Sequence, residues 1–295
     1  MSLRIGSRAS KLARAQAEKV SFLLNSLGVE STIVLISTAG DEHTGVPLHQ
    51  IGGQGVFVKA LDDALTEGII DIAVHSMKDI PAERPEGLVT SAILRRDSPA
   101  DYLVTDIDLD SVKSVGTSST RRTAQFKRNF PGIVIGPLRG NVDTRLSRLK
   151  NGDYDAIVLA EAGLERLSLS LRGYRLDPAV HVPSPNQGTI AIVSGTDPAI
   201  LAIVSKIDDP VTRTDTLLER RVMEIIGGGC FTPLGIFCKN RQMIVQVLSL
   251  DGDREFRTER MIRDTTDAER LGEEVRDQAG SLIREAYARL GLTHD

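Results

Sequence analysis

Arginines recur at one kind of place in this sequence. Gly6-Ser7-Arg8-Ala9-Ser10 separates the apolar stretch LRIGS from an amphipathic one. SVGTSSTRR puts Gly116, Thr117, Ser119, Arg121 and Arg122 at a second such junction. Leu138-Arg139-Gly140-Asn141 makes a third, with Arg145 one turn on, and Arg166 lies on the helix after DAIVLA. Free backbone N–H groups at a helix start, flanked by Gly, hydroxyls and arginine, form an anion site. Arginine grips carboxylate or phosphate in a two-pronged fork. A single arginine reads as a solvated surface charge. Six at strand–helix junctions (Arg8, Arg121, Arg122, Arg139, Arg145, Arg166) read as a binding cleft for a ligand with several acidic groups. Residues 111–150 reinforce this, with nine Lys/Arg against one acid, Asp143. No GxxxxGK[ST] is present, so a phosphate-binding P-loop is not supported.

His75-Ser76-Met77-Lys78-Asp79 closes another apolar stretch. Asp79 is a candidate acid/base or cation stabiliser, while His75 reads equally well as a structural histidine. A third feature is GGGCFTPLG at 227–235, with Cys230 on a run of glycines. A catalytic thiol is usually activated by a base. The histidines, at 43, 49, 75, 181 and 294, are all remote from Cys230 in sequence. Cys230 and Cys238, with seven residues between them and no His partners, lack zinc-site spacing, so no metal is expected. Cys238 reads as a small apolar strand residue.

These groups need a scaffold. At 295 residues the chain exceeds one ordinary core, so two or three domains are expected. Apolar residues make up 41% and charged residues 26%, the usage of a globular protein. The net charge of −4 gives no support to nucleic-acid binding. No apolar run has the length of a membrane span, and MSLRIGSRASKLARAQ lacks a signal-peptide core. Two cysteines make no disulfide framework, so a reducing cytoplasm is expected. Strand and helix patterns alternate to about residue 211, which predicts α/β lobes with mixed, mostly parallel sheets. Ser10 is positioned to cap the first helix. The Gly-rich stretch 40–55 is long enough for a lid or binding loop. After residue 211 a helix precedes three strands with turns between them and a last helix, a small antiparallel α+β domain. Thr266-x-x-Glu269 reads as the capping box of that helix, and its apolar stripe runs from Leu271 to Leu290.

HSMKD, GTSSTRR, LRGNVDTRL, YDAIVLAEAGLERL and GGGCFTPLG follow the order and spacing of the porphobilinogen deaminases (hydroxymethylbilane synthases), and the resemblance covers nearly the whole chain. It implies two lobes similar to those of periplasmic binding proteins plus a third domain. The implied boundaries are 1–95 with 186–207, 98–184, and 211–295. It implies a dipyrromethane cofactor held by a thioether to Cys230, so that the cysteine is an anchor and needs no histidine. The implied reaction joins four porphobilinogen units head to tail onto that cofactor, each with loss of ammonia. Hydrolysis then releases hydroxymethylbilane. Asp79 matches the catalytic aspartate, placed to stabilise the cationic azafulvene left when ammonia departs. Arg8, Ser10, Ser119, Arg121, Arg122, Arg139, Arg145 and Arg166 match positions contacting carboxylates of cofactor or substrate. Gln16, Lys78, Thr117 and Gly140 match positions lining the site, and Phe57 the aromatic that covers it. A monomer is usual for the family. HQIGGQGVF departs from the pattern, with Gln50 and Gln54 where basic residues are common, and PSPNQG replaces PxxGQG. A two-lobed anion-binding protein without catalysis is the alternative, and it would need neither Asp79 nor Cys230.

Overall fold

The computed structural model describes residues 2–37, 56–81, 84–227 and 231–292. In chain order the first elements are β1 (Leu3–Ser7), α1 (Lys11–Ser26), β2 (Ser31–Leu35), α2 (Val56–Thr66), β3 (Ile72–Ser76) and β4 (Val89–Ile93). Then come β5 (Asp101–Val104), β6 (Ser114–Gly116), α3 (Thr120–Asn129), β7 (Val134–Gly136), α4 (Val142–Lys150), β8 (Ala156–Ala160), α5 (Glu161–Arg166) and β9 (Gly173–Arg175). The last are β10 (Ile190–Ser194), α6 (Pro198–Val204), α7 (Pro210–Ile226), β11 (Leu234–Lys239), β12 (Gln242–Leu248), β13 (Glu255–Met261) and α8 (Thr265–Arg289). They form two compact units. One comprises Met1–Asp97, Arg166–Ser168 and Gly188–Arg213; the other comprises Ser98–Glu165, Leu169–Gln187 and Thr214–Asp295.

The first unit holds a five-stranded sheet in the order β2-β1-β3-β10-β4. β1 runs parallel to β2 and β3, whereas β10 runs antiparallel to β3 and β4. Successive strand side chains face opposite ways. Ile72 and Val74 therefore pack with Leu3, Ile5, Val20 and Leu24, while Ala73 packs with Leu61, Ile70 and Met77. Both faces are covered, which is why IAVHS is apolar without alternation. The second unit contains a matching sheet, β7-β6-β8-β5-β9, with β6 parallel to β7 and β8 and with β5 antiparallel to β8 and β9. The sheets are mixed, and in each the parallel strands carry the loops of interest. β9 is three residues long and has no apolar pattern that would announce it.

The same unit holds the antiparallel sheet β11-β12-β13. Val222 and Ile226 of α7 meet Val245, Val247, Leu271, Val275 and Ile283 in one core. Cys238 is buried there, as the strand pattern predicts. Two details of α8 correct the sequence reading. Its cap is Asp264, whose carboxylate accepts from Asp267 N at 2.9 Å, because an equally good capping residue precedes Thr266. Leu290 lies beyond the buried stripe and is 41% exposed.

Candidate functional site

In the first unit the ends of β1 and β3 present the side chains. Ser10 Oγ caps α1 by accepting from Ala13 N at 3.3 Å, and Arg8, half-buried, lies between strand and helix. Gln16 is buried, and its amide donates to Ser76 Oγ at 2.8 Å. That bond ties the end of β3 to α1, so Gln16 supports the turn that follows. The turn is the 3-10 segment Met77–Asp79, anchored by buried Met77. Lys78 is half-buried; Asp79 is exposed and has no hydrogen bond or ion pair among the described residues. A carboxylate on a rigid turn, with no partner of its own, is available to a ligand cation. His75 is buried beside it in sequence, and its Nε2 has no partner. Burial, then the charges of Arg84 and Arg8, push its pKa down to about 3, so it is a neutral imidazole.

Arg166 is held from two sides. Its Nε donates to Asp97 Oδ2 at 2.8 Å and its Nη2 to Gly188 O at 2.7 Å. Lys19 Nζ donates to the other oxygen of Asp97 at 2.5 Å. Nothing in the sequence around Asp97 marks it as this anchor.

In the second unit the loops after β6 and β7 are pinned to each other. Ser118 Oγ accepts from Leu138 N at 3.0 Å. Thr117 Oγ1 accepts from Ser119 N at 3.2 Å, and Ser119 Oγ caps α3 by accepting from Arg122 N. Gly116 is required by packing, because a Cβ there would lie 2.8 Å from the Tyr154 ring. Asn141 caps α4, accepting from Thr144 N at 2.9 Å. Gly140 has φ +104°, which favours glycine, and this shape aims its carbonyl at Arg145 Nε, 2.8 Å away. Arg139, next to it, is exposed and unpartnered among the described residues. Burial, then repulsion from Arg122 and Arg139, lowers the Arg145 pKa to about 10, so it remains a cation at neutral pH.

Arg121 and Arg122 are deeper than their junction position suggests, at 4% and 7% exposure. Both pair with Asp101: Arg121 Nη1 reaches Oδ2 at 2.8 Å and Arg122 Nη2 reaches Oδ1 at 2.7 Å. Arg122 Nη1 also donates to Val158 O at 3.1 Å. Among the described residues, Arg122 Nε is buried without an acceptor, as is Thr120 Oγ1 at the start of the same helix. Orphan donors of this kind are rare in native proteins and point to a missing acceptor. Together with Arg139 and Arg145 they fit a ligand bearing carboxylates, as dipyrromethane does. Cys230, Gln50 and Gln54 lie outside the described residues, and so does the side chain of Phe57.

Comparison with known proteins decides the family. Residues 3–202 match "Porphobilinogen deaminase, dipyromethane cofactor binding domain", and residues 214–280 match "Porphobilinogen deaminase, C-terminal domain". The chain belongs to the porphobilinogen deaminase family. Its relatives include proteins named probable porphobilinogen deaminase from several archaea. The Methanosarcina acetivorans protein is 46% identical, the alignment covering 95% of this chain and 93% of the relative. The Methanocella arvoryzae protein is 47% identical over 88% and 89%, and the Archaeoglobus fulgidus protein 40% over 94% and 99%. Among solved structures, the methionine binding protein MetQ aligns with a TM-score of 0.44 at 12% identity, covering 74% of this chain and 93% of that one. The family is one of transferases of tetrapyrrole synthesis, and its cofactor is dipyrromethane.

Proposed function

We propose that this porphobilinogen deaminase condenses four porphobilinogen molecules head to tail, with loss of ammonia, and releases hydroxymethylbilane by hydrolysis. The observation that carries the reading is the Asp79 carboxylate on the turn after β3, without a partner among the described residues. An anion-binding protein with no catalysis has no use for an exposed carboxylate on the turn that closes a buried strand. When bound, dipyrromethane supplies the pyrrole α-carbon at which the chain grows, and Cys230 would hold it. In each condensation the substrate's aminomethyl C–N bond breaks, a carbon–carbon bond forms at the α-carbon, and that carbon gives up its proton. Asp79 stabilises the cation that exists between bond breaking and bond making, and it exchanges protons with the pyrrole N–H and the departing ammonia. Arg139, Arg145 and the Arg122 Nε edge bind acetate and propionate groups, as do Arg8, Ser10 and Arg166. Thr117 and Ser119 shape the α3 end of that site, and Lys78 neutralises charge beside Asp79.

The chain is read here as three domains, 1–95 with 186–207, 98–184, and 211–295, acting as a monomer in the cytoplasm. The break between the two matched family models, 3–202 and 214–280, supports a separate domain from about 211. The two five-stranded sheets support the two lobes, and the two-cysteine composition supports a reducing cytoplasm. Among the described residues no helix is long and apolar enough to cross a membrane. Intact mass tests the reading. The purified protein should exceed its sequence mass by two pyrrole units, and Cys230→Ser should lose the excess together with activity. An active protein of unmodified mass would refute it.

A further inference from the structure

Asp101 is the first residue of β5 and is 1% exposed. Both its oxygens are taken by protein donors, so it is neither an acid/base nor a binding group. Three donors converge on it instead. Arg121 Nη1 takes Oδ2, while Arg122 Nη2 and Gln187 Nε2 share Oδ1 at 2.7 and 2.8 Å. Burial alone would raise its pKa, but the two guanidinium groups outweigh that and keep the carboxyl ionised. Arg121 and Arg122 are consecutive on a helix, where neighbours diverge by about a quarter turn. One carboxylate brings both guanidinium groups to opposite oxygens and cancels one of their two charges. With Nη2 on Asp101 and Nη1 on Val158 O, the Arg122 guanidinium plane is fixed, and the remaining Nε–H is the buried donor without an acceptor.

We propose that Asp101 is a positioning residue for carboxylate binding: it orients the Arg122 guanidinium so that its Nε–H faces a carboxylate of the cofactor or growing chain. The inference rests on the function proposed above. A second set of bonds shows how firmly the partner arginine is held. Arg121 Nη1 also donates to Gln125 Oε1 at 3.0 Å, and Gln125 Nε2 donates to Gln246 Oε1 at 2.8 Å on β12. Removing the Asp101 charge therefore leaves Arg121 anchored and frees mainly Arg122.

The test is Asp101→Asn, with Val247→Ala as a control of comparable thermal loss. Val247 is a buried apolar core residue of β12 with no polar side-chain group to offer a carboxylate. Asp101→Asn should be purified with less than half of its molecules carrying the two-pyrrole excess. Its loaded fraction should show a KM for porphobilinogen raised roughly tenfold, the effect of about one hydrogen bond. Val247→Ala should stay fully loaded with an unchanged KM. Full loading and normal KM in Asp101→Asn would overturn the proposal, as would a loss no greater than that of Val247→Ala. If Asp101→Asn does not fold, Asp101→Asn/Arg121→Gln restores the buried charge balance. It should load less well than Arg121→Gln alone, and equal loading would overturn the proposal. A wild-type protein lacking the mass excess would remove the proposed function as well. A loaded wild type with a loaded Asp101→Asn removes this inference alone.

Discussion

Arg166 Nε lies 2.8 Å from Asp97 Oδ2, across 69 residues of sequence. With Nη2 on Gly188 O, only the Nη1 edge of this guanidinium has no partner among the described residues. Under the proposed function, a ligand carboxylate is met by a fixed donor and not by a swinging side chain. Fixing it in advance lowers the ordering cost of binding. Arg166→Lys keeps the charge but cannot span Asp97 and Gly188 O at once. It should lose nearly as much stability as Arg166→Leu, about 1–3 kcal/mol in each case, since Asp97 keeps Lys19. Both should raise KM, Arg166→Leu the more strongly, since lysine keeps the charge but loses the fixed geometry. Denaturant unfolding and steady-state kinetics on the pair separate the two roles. Equal KM values in both variants would show that the fork, and not the charge, binds substrate.

Asp79 is exposed and unpartnered among the described residues, so Asp79→Asn should leave the fold alone. The amide cannot stabilise a cation, and turnover should fall roughly 10²–10³-fold or more. Unfolding midpoints and single-turnover rates check both halves. Near-normal turnover would exclude the role given to Asp79.

Arg139 and Arg145 differ in how they are held, and that predicts different signatures. Arg139 makes no described bond, so Arg139→Leu should change stability by less than about 0.5 kcal/mol. Arg145 is half-buried and repelled by Arg122 and Arg139, so Arg145→Leu removes an unfavourable charge and should be neutral or slightly stabilising. Both variants should nevertheless stall, accumulating protein species of defined chain length by intact mass. A uniform slowing without such species would place both residues outside the path of the growing chain.

Much of this arrangement could be read from the sequence, and the rest could not for a specific reason. Ser10 and Ser119 cap the helices they precede, because capping is local and their side chains reach only three residues. The junction arginines stand where strand and helix patterns meet. Where a guanidinium goes, however, is decided by an acid far along the chain. Asp101 is 20 residues from Arg121, and Asp97 is 69 from Arg166. Neither acid stands in a motif, so the sequence presents Arg121 and Arg122 as surface grips when they are in fact buried and internally paired. That Gln16 supports Ser76 was not legible, because the two are 60 residues apart. The cap of α8 was misplaced because Asp264 and Thr266 both satisfy the same local rule.

His75 makes the last prediction, on acid stability. Its pKa is about 3 in the folded protein, lowered chiefly by burial and then by Arg84 and Arg8, against an ordinary 6.5. Between those values the unfolded chain binds a proton that the folded chain refuses. Stability from this residue is thus complete above pH 6.5 and is lost as pH falls toward 3. The slope approaches about 1.4 kcal/mol per pH unit, one proton's worth. Asp101 adds a loss of the same sign, but only below its unfolded pKa of 3.8. In the interval from pH 6.5 to pH 5.5, above the carboxylate range, the loss comes from His75 and from His181, whose pKa burial also lowers. His75→Asn should lower stability at pH 7.5 where the packing is disturbed, but its unfolding free energy should decline less steeply across that interval than that of the wild type, keeping only the share of His181. Urea unfolding at several pH values measures the slope. Equal slopes in the two proteins would mean that His75 titrates normally and that another group sets the acid limit.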